Sequence, residues 1–281
     1  MSSKDYCDVL AIHLVPASTS KEEFEAKFGT FLDAVAKLPV LQKNAITLKM
    51  FIQNDAFHES VAGFGLPVPK PAVVGFARFK VVPVHLAYSP MAHPRARQSA
   101  DGLKELLRDP EYVSLVSAAK ENGHLRGHDD MSLFSADVTT KIDVNHTGDR
   151  KHVFGIFKVP NDVPAELFER KVEACIDGAL ALEACQNNFL KYKMASRLSH
   201  EPIRWRQTSN ITDELPRLGF PAPQPWIVAM AEFANLDNLL EVGKDQDLAQ
   251  HLAATLTTNE FPLHIDIIVF AAEGVTKFNS R

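Results

Sequence analysis

The amino-acid sequence predicts an α+β protein made of two consecutive copies of one β-α-β-β-α-β unit. Three observations lead to this prediction: the chain aligns with itself, both aligned segments carry the same apolar helical stripe, and a glycine-proline motif occurs twice. The 281-residue chain is long enough for two ordinary domains. We place these domains at residues 1–143 and 144–281.

The self-alignment covers the start of each unit. A shift of 144 residues places Val9–Met50 over Val153–Met194 without a gap, and 14 of the 42 pairs are identical. The identical pairs include Phe24 with Phe168. Self-similarity at a fixed offset indicates a repeated supersecondary unit.

The aligned segments also agree in their apolar pattern. Apolar residues recur at helical spacing in the first copy, and their counterparts at the same offset are apolar in the second. They are Phe24, Phe28, Phe31, Leu32, Val35 and Leu38 in one copy, and Phe168, Val172, Cys175, Ile176, Ala179 and Leu182 in the other. This spacing predicts two amphipathic helices that bury the same face.

The repeated motif is written GLPVPKP at Gly65–Pro71 and GFPAPQP at Gly219–Pro225. Proline restricts its own φ and favours extended geometry in the residue before it. An alternating run therefore predicts a stiff, extended lead-in to the apolar strand that follows. The glycine is predicted to supply a turn.

The elements follow in the same order in both units. The first has a strand at Asp8–Val15, a helix at Lys21–Lys37 begun by a Ser20 capping box, strands at Ala45–Gln53 and Ala72–Lys80, a broken helical region at Asp101–Asn122 and a strand at Met131–Val138. The second has a strand at Val153–Val159, a helix at Pro164–Ala184 capped by Asp162, strands at Phe189–Leu198 and Trp226–Phe233, a helix at Leu236–Thr257 and a strand at His264–Ala271. The polar segment Thr139–Lys151 is the predicted boundary.

This order is the ferredoxin-like plan, and its duplication resembles the dimeric α/β-barrel superfamily, in particular its EthD-like enzymes, in tandem single-chain form. The resemblance covers nearly the whole chain. It implies two four-stranded sheets packed sheet to sheet as an intramolecular barrel, with helices outside. The superfamily includes cofactor-free monooxygenases, polyketide cyclases, lyases, decarboxylases and haem proteins, and the fold does not choose among them.

Composition excludes several classes of function. A net charge of -5 and a pI near 6.1 argue against a general nucleic-acid binder. No apolar stretch reaches the roughly 20 residues that span a bilayer, and MSSKDYCDVL has no secretory signal pattern. The sparse cysteines Cys7, Cys175 and Cys185 suit a reducing compartment. We therefore expect a cytoplasmic protein with no nucleic-acid or membrane partner.

Two inserts break the similarity of the units and are rich in histidine, arginine and aromatic residues. The first, within HLAYSPMAHPRARQSADG, carries His85, Tyr88, His93, Arg95 and Arg97; the second, within SHEPIRWRQTSNITDELPR, carries His200, Arg204, Trp205 and Arg206. The functional interpretation is a pocket mouth, where the histidines and the tyrosine act as acid–base catalysts and the arginines and the tryptophan bind substrate. The alternative is that both inserts are solvated loops.

Charged and polar residues inside strands form a second set of candidates. His13 stands where the other copy has Phe157, so it is either a catalytic group facing a cavity or a core histidine bonded to the backbone. Both copies keep a lysine in the second strand, Lys49 and Lys193, which suggests a role in the shared fold. The remaining candidates are Arg78 and Glu232, which lie near strand ends and either line a cleft or meet water.

A metal site and a haem site are also considered. His124 and His128 are four residues apart, but Gly123 and Gly127 argue against the helix that would place both imidazoles on one face, so no metal is predicted. By analogy with haem-binding barrels, His251 is the candidate axial ligand.

These observations favour a cofactor-independent enzyme of lyase, isomerase/cyclase or monooxygenase type. Its substrate would be a small apolar aromatic or polyketide-like molecule, bound between a sheet and its helices and processed by His/Tyr acid–base chemistry. One alternative is a non-catalytic small-molecule-binding or stress-response protein, and a second is a haem-binding enzyme. Pairing of the chain into a homodimer is left open.

Overall fold

The structure is a computed structural model. It describes residues 6–67, 70–80, 82–84, 97–99, 101–123, 125, 131–196, 214–220, 226–256 and 267–280. The first half contains β1 (Tyr6–Leu14), α1 (Lys21–Ala36), α2 (Pro39–Asn44), β2 (Ala45–Asn54), α3 (His58–Gly63), β3 (Ala72–Lys80), β4 (Val82–Val84), β5 (Arg97–Ser99), α4 (Asp101–Arg108), α5 (Pro110–Glu121) and β6 (Met131–Asp143). The second half contains β7 (Lys151–Lys158), α6 (Ala165–Leu180), α7 (Glu183–Asn188), β8 (Phe189–Ser196), β9 (Trp226–Phe233), α8 (Leu236–Gly243), α9 (Gln246–Leu256) and β10 (Ile267–Asn279).

Eight of these strands form one closed antiparallel barrel in the order β1-β3-β2-β10-β7-β9-β8-β6. The first and last strands of this order, β1 and β6, pair with each other and close the barrel. The prediction of an α+β protein with a barrel-like antiparallel sheet is therefore confirmed. The short strands β4 and β5 pair separately.

The two halves have the same internal strand order. When the four barrel strands of each half are numbered along the chain, both run fourth, first, third, second. The halves meet at the β2–β10 and β6–β8 ladders. They are thus joined edge to edge into one sheet, whereas the sequence analysis predicted sheets packed face to face. Edge pairing satisfies the backbone N–H and C=O groups that an open sheet would leave exposed.

Helix boundaries follow local capping chemistry. Ser20 Oγ accepts a hydrogen bond from Glu23 N at 3.1 Å, so the predicted cap of α1 is confirmed. The predicted Asp162 cap of α6 is wrong: Pro164 holds the N-cap position and makes no side-chain capping bond. The broken helical region is two helices, because Asp109 caps a new helix that starts at Pro110.

The side chains pack into three apolar clusters. One lies between the first half's strands and α1, α2, α4 and α5, and another between the second half's strands and its helices. The third fills the barrel interior and includes Phe51, Phe154 and Phe270. The ring centroid of Phe154 lies 5.0 Å from that of Phe51 and 5.6 Å from that of Phe270. A ligand pocket was predicted between a sheet and its helices. Among the described residues, packed apolar side chains occupy that space.

The segments that lead into the two proline motifs cross between the halves. Val61 and Leu66, which precede β3, pack in the second half's cluster. Their counterparts at an offset of 154, Leu215 and Phe220, pack in the first half's cluster. We call these two segments, residues 57–66 and 214–220, the crossing arms. Each crossing arm covers apolar surface of the opposite half.

Each crossing arm turns at the predicted glycine. Gly65 has φ +71° and Gly219 has φ +68°, a conformation that favours glycine. Leu66 N donates to Val61 O at 3.1 Å, and Phe220 N donates to Leu215 O at 2.9 Å. These matched bonds form the same helix-ending turn in both arms, so the prediction that the glycines supply turns is confirmed.

Within the described ranges, none of the helices combines the length and apolarity that crossing a membrane requires.

Candidate functional site at the charged end of the barrel

One end of the barrel interior is charged while its centre is apolar. We call this end the charged mouth: it is the end at which β1, β2, β7 and β8 begin and β3, β6, β9 and β10 finish. Alternate residues of a strand share one face, and the interior cluster includes Leu10 and Ile12 of β1 and Val74 of β3. By the same alternation, Asp8 and Arg78 face inward, nearer the mouth.

The first half contributes an ion pair to the charged mouth. Arg78 donates from Nε to Asp8 Oδ1 at 2.6 Å and from Nη2 to Asp8 Oδ2 at 2.9 Å. Asp8 is buried, and the guanidinium carbon lies 3.9 Å from the centroid of the Tyr6 ring. A two-point bond and a ring face together fix the plane of the arginine.

The second half places different chemistry at the equivalent positions. His152 is the counterpart of Asp8, and Glu232 is the counterpart of Arg78. In the strand register Asp8 lies opposite Arg78, and His152 lies opposite Glu232. Arg150 donates to the carboxylate of Glu232, which is buried. The halves have thus diverged, with an acid–arginine pair in one and a histidine–acid pair in the other.

A cavity of about 450 Å³ opens beside these groups. It is lined by Tyr6, Arg78, Val138, Thr139, Thr140, Asp143, Lys191 and Lys193. Three of these residues are cations and one is an acid. The Lys191 ammonium pairs with Asp143 at 2.7 Å, and Lys193 Nζ lies 4.0 Å from Glu232 Oε1. This balance of charge suits an anionic group of a ligand.

Burial alters the protonation of two groups at the charged mouth. Burial lowers the pKa of Lys193, and Lys191 and Arg78 lower it further, while Glu232 and Asp8 act in the opposite direction. Burial also lowers the pKa of His152 to about 4. His152 is therefore neutral at neutral pH, and Lys193 loses its proton more readily than an exposed lysine.

His13 lies away from the charged mouth, on the opposite face of β1 from Asp8. It is 5% exposed, and its ring centroid is 4.4 Å from that of Phe28 and 6.4 Å from that of Phe24, both on α1. The structure therefore places this candidate in the helix–sheet core and separates it from the cavity.

His251 packs between α9 and α6. Its Nε2 lies 2.9 Å from the carbonyl oxygen of Cys175, and its ring lies directly against Gly178, where a Cβ atom would collide with it. These contacts do not fit a haem ligand, because the ring nitrogen is bonded and the ring is packed against the neighbouring helix. Across the described ranges, no three histidine, cysteine or acidic side chains group as metal ligands would.

Most insert candidates lie outside the described residues. They are His85, Tyr88, His93, Arg95, His200, Arg204, Trp205 and Arg206. The backbone of Arg97 lies in β5. The two inserts depart from different ends of the barrel. The first insert begins with β4, after the end of β3 that carries Arg78 and lies at the charged mouth. The second insert follows the last residue of β8, which lies at the opposite end of that strand from Lys191.

Sequence reasoning missed Asp8, His152, Tyr6 and Arg150 as site residues. Asp8 and His152 stand one position before the aligned segments Val9–Met50 and Val153–Met194, so the self-comparison stopped just short of them. Extending the alignment by one residue would have shown an acid opposite a histidine inside matched strands, which is the signal that identifies this site.

A second, larger groove of about 850 Å³ runs between α1 and α5. Its polar lining includes Thr30, Asp33, Lys37, Glu111 and Ser114, all of them exposed. The polar side chains that line this groove are not buried, whereas the charged mouth contains buried charged groups. The charged mouth is therefore the stronger candidate.

Comparisons with known proteins leave the chemistry of this chain open. No family model matches the chain, and no curated protein matches it. Among solved structures it is similar to a proposed monooxygenase from Fusobacterium nucleatum subsp. nucleatum, with 9% identity and a TM-score of 0.44 over 97% of this chain and 92% of that chain. A proposed monooxygenase from Lactobacillus acidophilus NCFM has 9% identity and a TM-score of 0.42, with coverages of 98% and 95%. A proposed chlorite dismutase has 10% identity and a TM-score of 0.35, with coverages of 97% and 95%. Similarity at this level assigns no activity, and the EthD-like resemblance stays a prediction.

Proposed function

We propose that this chain is a small-molecule enzyme of lyase or isomerase type that works at the charged mouth without an organic cofactor. The observation that carries the proposal is the pair of the half-buried Lys193 and the buried Glu232, 4.0 Å apart, beside a cavity that Lys193 and Arg78 both line. A base and a fixed cation that line one cavity, with a carboxylate behind the base to relay its proton, are the groups that proton transfer next to a carbonyl requires.

The ligand class follows from the lining of the cavity. Arg78 and Lys191 attract a carboxylate or phenolate by their positive charge, and Arg78 has N–H groups beyond the two that it donates to Asp8. Tyr6 and Val138 supply apolar surface beside these cations. We therefore narrow the substrate to a small aromatic or polyketide-like molecule that carries an acidic group.

Each charged residue of the site has a distinct role in this proposal. Lys193, whose pKa is lowered mainly by burial, accepts a proton from the substrate. Glu232, oriented by Arg150, relays that proton from Lys193 to the product. Arg78 stabilises the negative charge that develops on the substrate oxygen, and Asp8 holds the guanidinium in place.

The first insert is proposed to complete the site. Its paired base, β4 and β5, leaves the barrel at the charged mouth. His85, Tyr88 and His93 are therefore kept as additional acid–base candidates, with Arg95 and Arg97 as substrate-binding candidates. No catalytic role is proposed for His13, because it lies on the outer face of β1.

We also propose that the barrel is a tandem pair of ferredoxin-like repeats, the single-chain form of a dimeric α/β barrel. Support comes from the equal strand order of the halves, the matched glycine turns and the exchanged crossing arms. A cytoplasmic location is part of the proposal, as is further pairing into a homodimer, which native mass measurement tests.

The test is calorimetric binding of a panel of aromatic carboxylates and phenolates, followed by turnover measurements on those that bind. We expect Lys193→Gln to retain binding and to lose turnover, and Arg78→Met to weaken binding. Lys43→Gln is the control, because Lys43 is exposed, pairs with Glu105 and is not among the residues that line the cavity. Binding without turnover would support the non-catalytic alternative, and absence of binding by the whole panel would contradict the proposed site. A Soret band after haem supplementation would support the haem alternative.

A further inference from the structure

We propose that Lys193 is a nucleophilic amine that forms an imine with the aldehyde or ketone group of a carboxylate-bearing substrate. This inference rests on the proposed function of the charged mouth and deepens it: it names the reacting atom, Lys193 Nζ, and adds a carbonyl group to the substrate class.

The position of Lys193 carries the inference. Its side chain lines the 450 Å³ cavity, yet it is only 19% exposed. The neighbouring Lys191 is held by Asp143 at 2.7 Å, so it serves as a fixed cation. In the part of the chain that the structure describes, the ion pair of Lys193 is the longer 4.0 Å contact with Glu232, and its side chain lines the cavity.

The two halves provide an internal comparison for this lysine. Lys49 is the counterpart of Lys193, but the counterpart of Glu232 is Arg78. Among the described residues, no carboxylate lies within ion-pairing distance of Lys49. Lys193 is thus the member of the pair that has a carboxylate for proton transfer, and Lys49 is the matched residue without one.

Charges from several strands favour the neutral amine that nucleophilic attack requires. Lys191 on β8 and Arg78 on β3 add positive charge around the buried Lys193, while Glu232 on β9 and Asp8 on β1 offset part of it. The balance lowers the pKa of Lys193, with burial as the largest cause. Desolvation next to other cations is a known way to activate a lysine.

The chemical step balances without an added oxidant or reductant. Lys193 Nζ attacks the carbonyl carbon, and one N–H proton passes by way of Glu232 to the former carbonyl oxygen, which gives a neutral carbinolamine. The second N–H proton follows the same path to the hydroxyl, the carbon–oxygen bond breaks, water departs, and a neutral carbon–nitrogen double bond remains. The 4.0 Å gap to Glu232 is short enough for one bridging water to carry the proton.

The substrate's acidic group would be held by the fixed cations of the cavity. Arg78 and Lys191 lie on β3 and β8, and Lys193 lies two residues after Lys191. A small molecule with a carboxylate at one end and a carbonyl at the other can therefore place its carbonyl at Lys193 while its carboxylate meets Arg78.

The experiment uses 4-carboxybenzaldehyde as probe, with sodium borohydride to reduce the imine to a stable amine, followed by peptide mass mapping of the full chain. We expect labelling at Lys193 severalfold faster than at Lys49 and at the exposed Lys43. Benzaldehyde, which lacks the carboxylate, should label Lys193 more slowly. Labelling should fall as the pH is lowered, because the amine becomes protonated.

Three variants keep the inference falsifiable. Lys193→Arg keeps the positive charge and should abolish labelling at this site, while Glu232→Gln should slow labelling and leave binding of benzoate intact. Lys49→Arg should leave labelling of Lys193 unchanged. Circular dichroism confirms that each variant is folded, and a variant that fails to fold is replaced by Lys193→Gln or Glu232→Asp.

Benzoate binding separates this inference from the proposed function. If benzoate binds while the aldehyde labels Lys193 no faster than Lys43, the imine proposal is wrong and the proposed acid–base site stands. If neither benzoate nor the aldehyde binds, the charged mouth itself is refuted as a carboxylate site, and the inference falls with it.

Discussion

The guanidinium of Arg78 holds the carboxylate of Asp8 through two hydrogen bonds, of 2.6 and 2.9 Å, inside the end of the barrel. The acid is buried, whereas the arginine also lines the cavity. One residue thus stabilises the fold and presents a positive charge to ligands, so its two roles have to be separated by experiment.

We expect Arg78→Met to destabilise the protein by about 3 kcal/mol, because it leaves a buried carboxylate without its partner. The double variant Asp8→Asn with Arg78→Met should recover part of this loss, since no unpaired charge remains. Urea unfolding measures both. If the double variant loses the sum of the unfolding free energies that Asp8→Asn and Arg78→Met lose separately, the two residues are not coupled and this expectation is wrong.

The half-buried His152 is expected to make the protein sensitive to acid. Its pKa is about 4 in the folded chain, against 6.5 for an ordinary histidine, with burial as the main cause. Between these values the unfolded chain binds a proton and the folded chain does not, so stability falls as the pH drops from about 6.5 to about 4. The expected loss is about 3 kcal/mol.

A His152→Phe variant isolates this contribution. The ring would still contact Phe51, whose centroid lies 4.9 Å from that of His152. Urea unfolding across this pH range should show a flatter profile for the variant than for the parent. His146→Gln, in the segment between β6 and β7, is the matched histidine control. An unchanged slope in His152→Phe would show that another group causes the sensitivity.

Truncation of a crossing arm should weaken the half on which the arm packs. Leu215 is fully buried in the first half's cluster, so Leu215→Ala should cost about 2–5 kcal/mol. Hydrogen exchange should speed up in α5, which belongs to the first half. Leu236→Ala is the control, because Leu236 is 40% exposed and should change stability little. Faster hydrogen exchange confined to the second half would contradict the packing of this crossing arm on the first half.

The glycine turns of the arms offer a matched pair of substitutions. Gly65→Ala should cost about 1 kcal/mol, because its positive φ is strained for alanine while no atom lies within 4 Å of the new Cβ. Gly219→Ala should cost more, because Lys120 Nζ, 2.7 Å from the new Cβ, would have to leave its hydrogen bond to Leu218 O. Thermal unfolding of both variants measures the difference, and equal stability of Gly65→Ala and the parent would contradict the strain.

Local features of the chain were predictable from the sequence. The strands Ala72–Lys80 and Trp226–Phe233 agree with the structure at both ends, and Ser20 caps its helix as predicted. Helix breaks were less predictable: the long helix expected at Leu236–Thr257 is two helices, α8 and α9, because a turn at Lys244 interrupts it. Backbone capping and strand alternation act over a few residues, which is why they can be read from the sequence.

The predicted boundary segment shows where local reasoning ends. Thr139–Lys151 is polar, yet β6 continues through it to Asp143. The reason is tertiary: β6 pairs with β8 of the other half across this stretch, with Asp143 opposite Lys191. A partner strand far along the chain therefore decides the end of the strand.

The amino-acid sequence by itself determined the internal self-similarity, the order of the main strands and helices, and the glycine turns, because each depends on neighbouring residues or on comparison of one copy with the other. Only the tertiary structure decided which strand face became the barrel interior, that the arms cross, and that Asp8, Arg78, Lys193 and Glu232 meet at one mouth. Those relationships depend on how the edges of the two sheets join, and residues more than a hundred positions apart come together only when the barrel closes.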